Sequence, residues 1–231
     1  MERGLYIAAS GMLAEQVRQD QIANDLANSA TPGYKSDRTT QRDFGALLLA
    51  NSATGQVVGA QGTAVEVDGI HTDFTPQPAR ETGQPLDFAI VGDGFFAVQT
   101  AQGVRYTRNG EFTADAQGRL VTAAGDPVLG RGGAPLRVGA GGTVDPRLLD
   151  VVTLANPRKA GDSLVTGAPG GGGTPGSVRA GALEDSGADA TRAMVDMITS
   201  MRAFEAGQKV IQTIDETLGK ASSSVGSLSG S

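Results

Sequence analysis

No cysteine occurs in the 231 residues, which excludes disulfides, thiolate metal sites and a cysteine nucleophile. Tryptophan is absent too, and seven Phe with three Tyr are thin material for one large core. There is a single histidine, so a Ser-His-Asp triad could use only His71. That residue sits between Ile70 and Thr72 in a turn-rich stretch and reads as a surface side chain. No stretch approaches the ~18 consecutive apolar residues of a membrane span, so no membrane insertion is expected. The opening Met1 to Ile7 lacks the basic and apolar regions of a signal peptide, and on these grounds alone the chain would be placed in the cytosol. Basic residues are scattered and the formal net charge is −6, so nothing marks a nucleic-acid partner.

Glycine is what the chain has in excess. Its 34 residues, beside ten prolines, are about twice the usual ~7% share and imply many tight turns. The glycine runs carry no nucleotide-binding chemistry. Gly167 to Gly176 lacks the Gly-Lys-Ser/Thr ending of a phosphate loop, and Gly139 to Gly142 meets Val144 where a dinucleotide fingerprint needs glycine. Asp87 and Asp93 flank a predicted strand and read as turn formers rather than a catalytic pair. No His/Asp/Glu set has metal-ligand spacing. The expectation is therefore no catalytic residue, no cofactor and no metal.

The pattern along the chain predicts a mainly β fold with terminal α-helices: a β-rich central domain between N- and C-terminal coiled-coil-forming helices. In residues 1–35, Leu5, Ala9, Met12, Ala23 and Leu26 follow 4-3 steps, until Asn28 to Gly33 stops the helix with Pro32-Gly33. Residues 36–160 change to short strands, among them Phe95 to Gln99, Val104 to Arg108 and Arg119 to Thr122. Asn109-Gly110 is the strongest two-residue hairpin signal. Residues 161–182, rich in Gly and Pro, read as a flexible linker or exposed loop. In 183–231 a heptad-like seam runs through Met194, Met197, Met201, Phe204, Gln208, Ile211 and Leu218, ending in a polar tail from Ser222. Narrow seams at both ends, on helices longer than the β middle needs, suggest self-assembly.

Four segments carry a family resemblance. Leu5 to Met12 with Ile22 to Lys35, the latter including Asn24, Asn28, Pro32, Gly33 and Tyr34, resembles the N-terminal signature of flagellar rod and hook proteins. Gly92 to Val98 through Tyr106 to Phe112 resembles their central segment, continued by Gly118 to Thr122 and Gly125 to Gly130. Ala182 to Ser186, Met194 to Ile198 and Arg202 to Thr213 resemble the C-terminal signature. Asp25, the run Ser186-Gly187-Ala188 and Gly207 depart from the usual pattern, and Gly207 should cost its helix about 1 kcal/mol relative to alanine.

The resemblance implies a structural subunit of the basal-body rod that assembles helically into the shaft transmitting torque to the hook. The short middle, without an inserted outer domain, favours rod over hook. The implied partners are the chain itself, other flagellar axial proteins and the flagellar type III export apparatus, with a site in the periplasm or cell wall. That overrides the cytosolic placement. The competing reading is a secreted β-domain adhesin or binding module oligomerised by its terminal helices.

Overall fold

A computed structural model describes residues 2–43, 46–50, 57–62, 65–170 and 173–228. Gly171 and Gly172 of the expected linker and the last three residues of the tail lie outside the described residues. The chain divides into two compact units, one comprising the residues up to Leu26, Asp37–His71 and the chain from Ala190, the other Ala27–Ser36 and Thr72–Asp189.

The first unit holds α1 (Glu2–Ala27), four strands and α2 (Ala190–Leu228). The strands are β1 (Asp37–Asp43), β2 (Ala46–Ala50), β3 (Val57–Gly62) and β4 (Val65–Thr72), with β1 paired to β4 and β2 antiparallel to β3. His71 lies on β4 with its side chain exposed. Both helices are free of proline, and α2 continues through Leu228, so the polar tail expected from Ser222 is helical for most of its length. Serine is only a modest helix breaker, and nothing in Ser222 to Gly226 is strong enough to end a propagating helix.

The second unit is the β body. Its strands are β5 (Ala79–Glu81), β6 (Phe88–Val91), β7 (Phe95–Thr100), β8 (Gly103–Thr107), β9 (Thr113–Ala114), β10 (Leu120–Val121), β11 (Val151–Val152), β12 (Leu154–Gly161), β13 (Leu164–Pro169), β14 (Ser177–Ala180) and β15 (Ala182–Glu184). Five of them form one sheet in the order β11-β7-β8-β13-β12, while β14 pairs with β6, β15 with β5 and β10 with β9. Strand β7 is buried on both faces. Phe96 and Val98 join Phe88, Ile90, Phe112, Leu120, Val128 and Leu149 on one side, and Phe95 and Ala97 join Tyr106, Leu129 and Val165 on the other. The few aromatics are concentrated here, Phe112 lying edge-on to Phe96 with ring centroids 5.3 Å apart. A strand with a period of two and apolar residues on both faces must be covered twice, and that places β7 centrally.

Three expectations are corrected. The segment 161–182 is not a linker. It carries β13, β14 and the start of β15, and two of its glycines, Gly167 and Gly176, serve close approach rather than freedom. A Cβ on Gly176 would lie 2.5 Å from the Val91 carbonyl oxygen, and one on Gly167 3.1 Å from Leu154 Cβ. Asn109-Gly110 is not a hairpin turn either. The hairpin closes at Ala101-Gln102, between β7 and β8, because β8 spends its second edge on β13. Gly110 instead lies against β6, where the Phe88 amide donates to its carbonyl at 3.0 Å. Finally, the C-terminal segment begins as strand: Ala182–Glu184 pairs with β5 before α2 starts.

The glycines generate a test. A Cβ on Gly110 would sit 1.6 Å from the Phe88 carbonyl oxygen, whereas Gly118, at φ +72°, has nothing within 4 Å. Gly110→Ala should therefore cost on the order of 3 kcal/mol by forcing the backbones apart. Gly118→Ala should cost about 1–2 kcal/mol from its left-handed backbone alone. Urea midpoints of the two variants compare these costs directly.

Candidate functional site: a buried charge cluster and an antiparallel helix pair

Glu184 is 1% exposed, at the end of β15, and its carboxylate is the centre of the β body's polar interior. Lys35 Nζ donates to its Oε1 at 2.6 Å and Arg108 Nη1 to its Oε2 at 2.8 Å. The Gln77 amide adds a third bond to Oε1 at 2.9 Å, and the Gly33 amide donates to the Glu184 backbone carbonyl, also at 2.9 Å. Both cations are themselves 3% exposed. Arg108 also donates from Nη1 to the Ile90 carbonyl (3.3 Å) and from Nη2 to the Gly92 carbonyl (2.7 Å), and it lies over the Phe95 ring. Lys35 also donates to the Thr75 carbonyl at 2.7 Å. Breaking a buried pair like this by removing one partner costs about 3–5 kcal/mol, because the other charge is left stranded.

The backbone around the cluster is shaped for it. Gly33 has φ +64°, and a Cβ there would fall 2.4 Å from the Arg108 carbonyl carbon and oxygen. Gly33, a few residues beyond the end of α1 at Ala27, thus lets the chain pass directly over Arg108. The segment is stitched down further: Ser186 Oγ donates to the Asn28 carbonyl (2.9 Å), and the Gly187 amide to that of Tyr34 (2.8 Å). Tyr34 is buried, with the Lys159 ammonium 4.2 Å above its ring centroid. Of the family-motif residues, Gly33 and Tyr34 are buried, Asn28 and Pro32 half-buried, and Asn24 exposed on α1. Asp87 is tied to Thr82 Oγ1 at 2.6 Å while Asp93 is exposed. No group of three or more potential metal ligands occurs among the described residues, and no described helix is long and apolar enough to cross a membrane.

In the first unit, α1 and α2 run antiparallel. Gly4 lies beside Ile214, Met12 beside Gly207, and Ser200 Oγ donates to Glu15 Oε2 at 2.6 Å. The face of α2 turned to α1 is Ala193, Met197, Ser200, Phe204, Gly207, Ile211 and Ile214, all buried or half-buried. This shifts the expected C-terminal seam. Met197, Phe204 and Ile211 belong to it, whereas Met194, Met201, Gln208 and Leu218 are exposed in the single chain. On α1, Ala9, Met12 and Leu26 are half-buried, and Leu5 and Ala23 exposed. Small residues at seven-residue spacing, Ala193, Ser200 and Gly207, let the helices approach closely, so contact follows size rather than hydrophobicity. Gly207 is the tightest point, where a Cβ would be 2.8 Å from Met12 Cγ.

Three regions of the chain match known families. Residues 5–35 match the flagella basal body rod protein family, 89–153 the flagellar hook protein FlgE/F/G D1 domain, and 179–224 the flagellar basal body rod FlgEFG protein C-terminal region. The flagellar basal-body rod protein FlgG of Bacillus subtilis (strain 168) is 32% identical over 94% of this chain and 97% of its own length. FlgG of Agrobacterium fabrum is 34% identical, over 93% and 96%. The chain belongs to the flagellar basal-body rod protein family. FlgF of Escherichia coli (strain K12) is similar too, at 32% identity over 96% of this chain and 97% of that one. As a rod protein the chain is a structural subunit of the flagellar basal body, and the adhesin reading finds no support among these similarities.

Each matched region of this rod protein contributes one member of the charge cluster: Lys35, Arg108 and Glu184. Sequence reasoning had all three inside its motifs and assigned them no role. The available signal was their opposite charge and their setting, each directly after an aromatic, a threonine or a leucine in an otherwise weakly charged motif.

The cluster has a pH signature. Burial pushes the Lys35 ammonium below 10.5, Glu184 pulls it back up, and Arg108 adds to the lowering; the net direction is down. A group that holds its proton less tightly folded than unfolded adds stability as pH rises through the window beneath its unfolded value. As pH rises toward 10.5, the wild-type chain should therefore gain urea resistance relative to Lys35→Met. A constant difference over that range would mean that Lys35 titrates as it does in water.

Proposed function

We propose that this rod protein polymerises helically with copies of itself and with other axial proteins, forming part of the shaft that transmits torque to the hook. One observation carries the reading: each terminal helix has a second apolar stripe that its partner helix leaves bare. On α1 it comprises Tyr6, Leu13 and Val17, with Leu13 64% exposed. On α2 it comprises Met194, Val195, Ile198 and Met201, with Met194 54% and Met201 51% exposed. A helix that is apolar on two faces needs a partner on each, and α2, with 39 residues against 26, also outruns α1. At 1.5 Å per residue the two span roughly 58 and 39 Å. Methionine suits contacts that repeat in slightly different surroundings, because its flexible thioether fits several shapes.

The same reading has the chain exported by the flagellar type III apparatus, with export information in the N-terminal segment, and placed in the periplasm- or wall-spanning part of the basal body. Family membership supports it.

Two experiments test these points. Met201→Asp puts a charge on the bare stripe, where burial in a polymer would cost several kcal/mol, without touching the face toward α1. Its thermal melt should match wild type while polymerisation and swimming are lost. Phe204→Asp should lower both, because Phe204 packs toward α1. Polymerisation of Met201→Asp at wild-type level would remove this stripe from the assembly. Deleting residues 1–30 spares Gly33, Tyr34 and Lys35, so the β body should keep its circular dichroism while secretion and motility disappear. A truncated chain that is still secreted would place the export information elsewhere.

A further inference from the structure

The charge cluster joins residues that are far apart in the chain. Glu184 is 149 positions from Lys35 and 76 from Arg108. Two cations bond one carboxylate in a buried space, with Asp73 acting on Lys35 from farther off. Among the described residues, Arg108 Nε is buried with no hydrogen-bond partner. The Ile90 carbonyl that receives Arg108 belongs to a residue of the main apolar cluster. Core closure and charge burial are thus the same event in space. Beside Glu184, Ala182 and Leu183 are buried as well, at 0% and 6% exposed, and β15 supplies the pairing partner of β5.

We infer that Glu184 is the closing element of a charge latch: the β body cannot complete its core until the segment 182–187 docks, so folding waits for the C-terminal third of the chain. Before that segment arrives, burying Lys35 and Arg108 would place two uncompensated cations in an apolar interior, which is prohibitive without a paired carboxylate. The loop to be closed is long, and its entropy is lost before the contacts form, which makes the step slow. A chain emerging N-terminus first would stay open until Glu184 is free. The use of this delay, keeping the subunit unfolded through translocation, rests on the export reading above. The latch itself is a property of the isolated chain.

Refolding of the full-length protein in vitro tests the latch whether or not the chain is exported. Pulse-labelled hydrogen exchange during refolding reads two sets of amides. The latch set is Gly33 and Gln77, which donate to Glu184, and Asp185, which donates to the Pro78 carbonyl. The core set is Leu120, Val128 and Leu129, bonded to the carbonyls of Leu136, Leu120 and Ala97. Both sets should gain protection in one step. Glu184→Gln, which leaves two cations unbalanced, should slow that step tenfold or more. Lys35→Met/Arg108→Met/Glu184→Gln removes every charge of the cluster and should recover most of the lost rate, which keeps the test informative even if Glu184→Gln alone does not fold. Protection of the core set before Gly33 and Gln77, or a triple variant no faster than Glu184→Gln, would overturn the latch. Normal latch kinetics in a chain that is not secreted would instead count against export alone.

Discussion

A carboxylate with three hydrogen-bond donors, sealed from water, organises the β body of this rod protein. Glu184 accepts from Lys35, Arg108 and the Gln77 amide, and so joins the chain just after α1, the end of β8 and the chain just before α2. Removing two cations and an anion from water is expensive, and only tight, well-aligned hydrogen bonds offset it. That constraint explains features that otherwise look unrelated. Gly33 must lack a side chain to pass over Arg108. Gly92 and Ile90 must present carbonyls to the guanidinium. Ser186 and Gly187 return to bond the backbone of Asn28 and Tyr34. A buried apolar substitute could supply equal stability, but it would not specify which three parts of the chain meet.

The helix pair answers to a different constraint, that of close approach. Along α2 two 4-3 series of positions overlap at Met197, Phe204 and Ile211 and diverge elsewhere. One is defined by the small residues Ala193, Ser200 and Gly207, and it faces α1. The other runs through Met194 and Met201 and remains bare. The glycine that departs from the family pattern, Gly207, sits where Met12 leaves no room for a Cβ. Its propensity cost, about 1 kcal/mol, is the counterpart of that contact.

Elements defined by short-range rules were legible in the sequence. Both helices, the stop within Asn28 to Gly33, and strands β7 and β8 follow from periodicity and turn chemistry, which act within a few residues. What escaped was the choice of partner. Asn109-Gly110 has hairpin composition, yet β8 lies between β7 and β13, and no local signal reveals that β13 exists inside a glycine-rich stretch. The face of α2 that packs on α1 was not read because large apolar side chains advertise a contact more loudly than small ones. The cluster was missed because a lone Lys, Arg or Glu in sequence looks like a solvated surface residue, and only the fold brings the three together.

Low-complexity text is the usual choice for inserting an epitope or fluorophore, and in this chain that habit misleads. Gly176 is among the least replaceable residues of the β body, since the Val91 carbonyl oxygen lies 2.5 Å from where a Cβ would be, and Gly167 is closely packed against Leu154 and Ala155. Open space exists at the turns of Gly132, Gly133 and Gly142, where nothing lies within 4 Å of a built Cβ, but their positive φ angles hold the glycines themselves in place. Labels for following this subunit in living cells belong beside those glycines, inserted without replacing them.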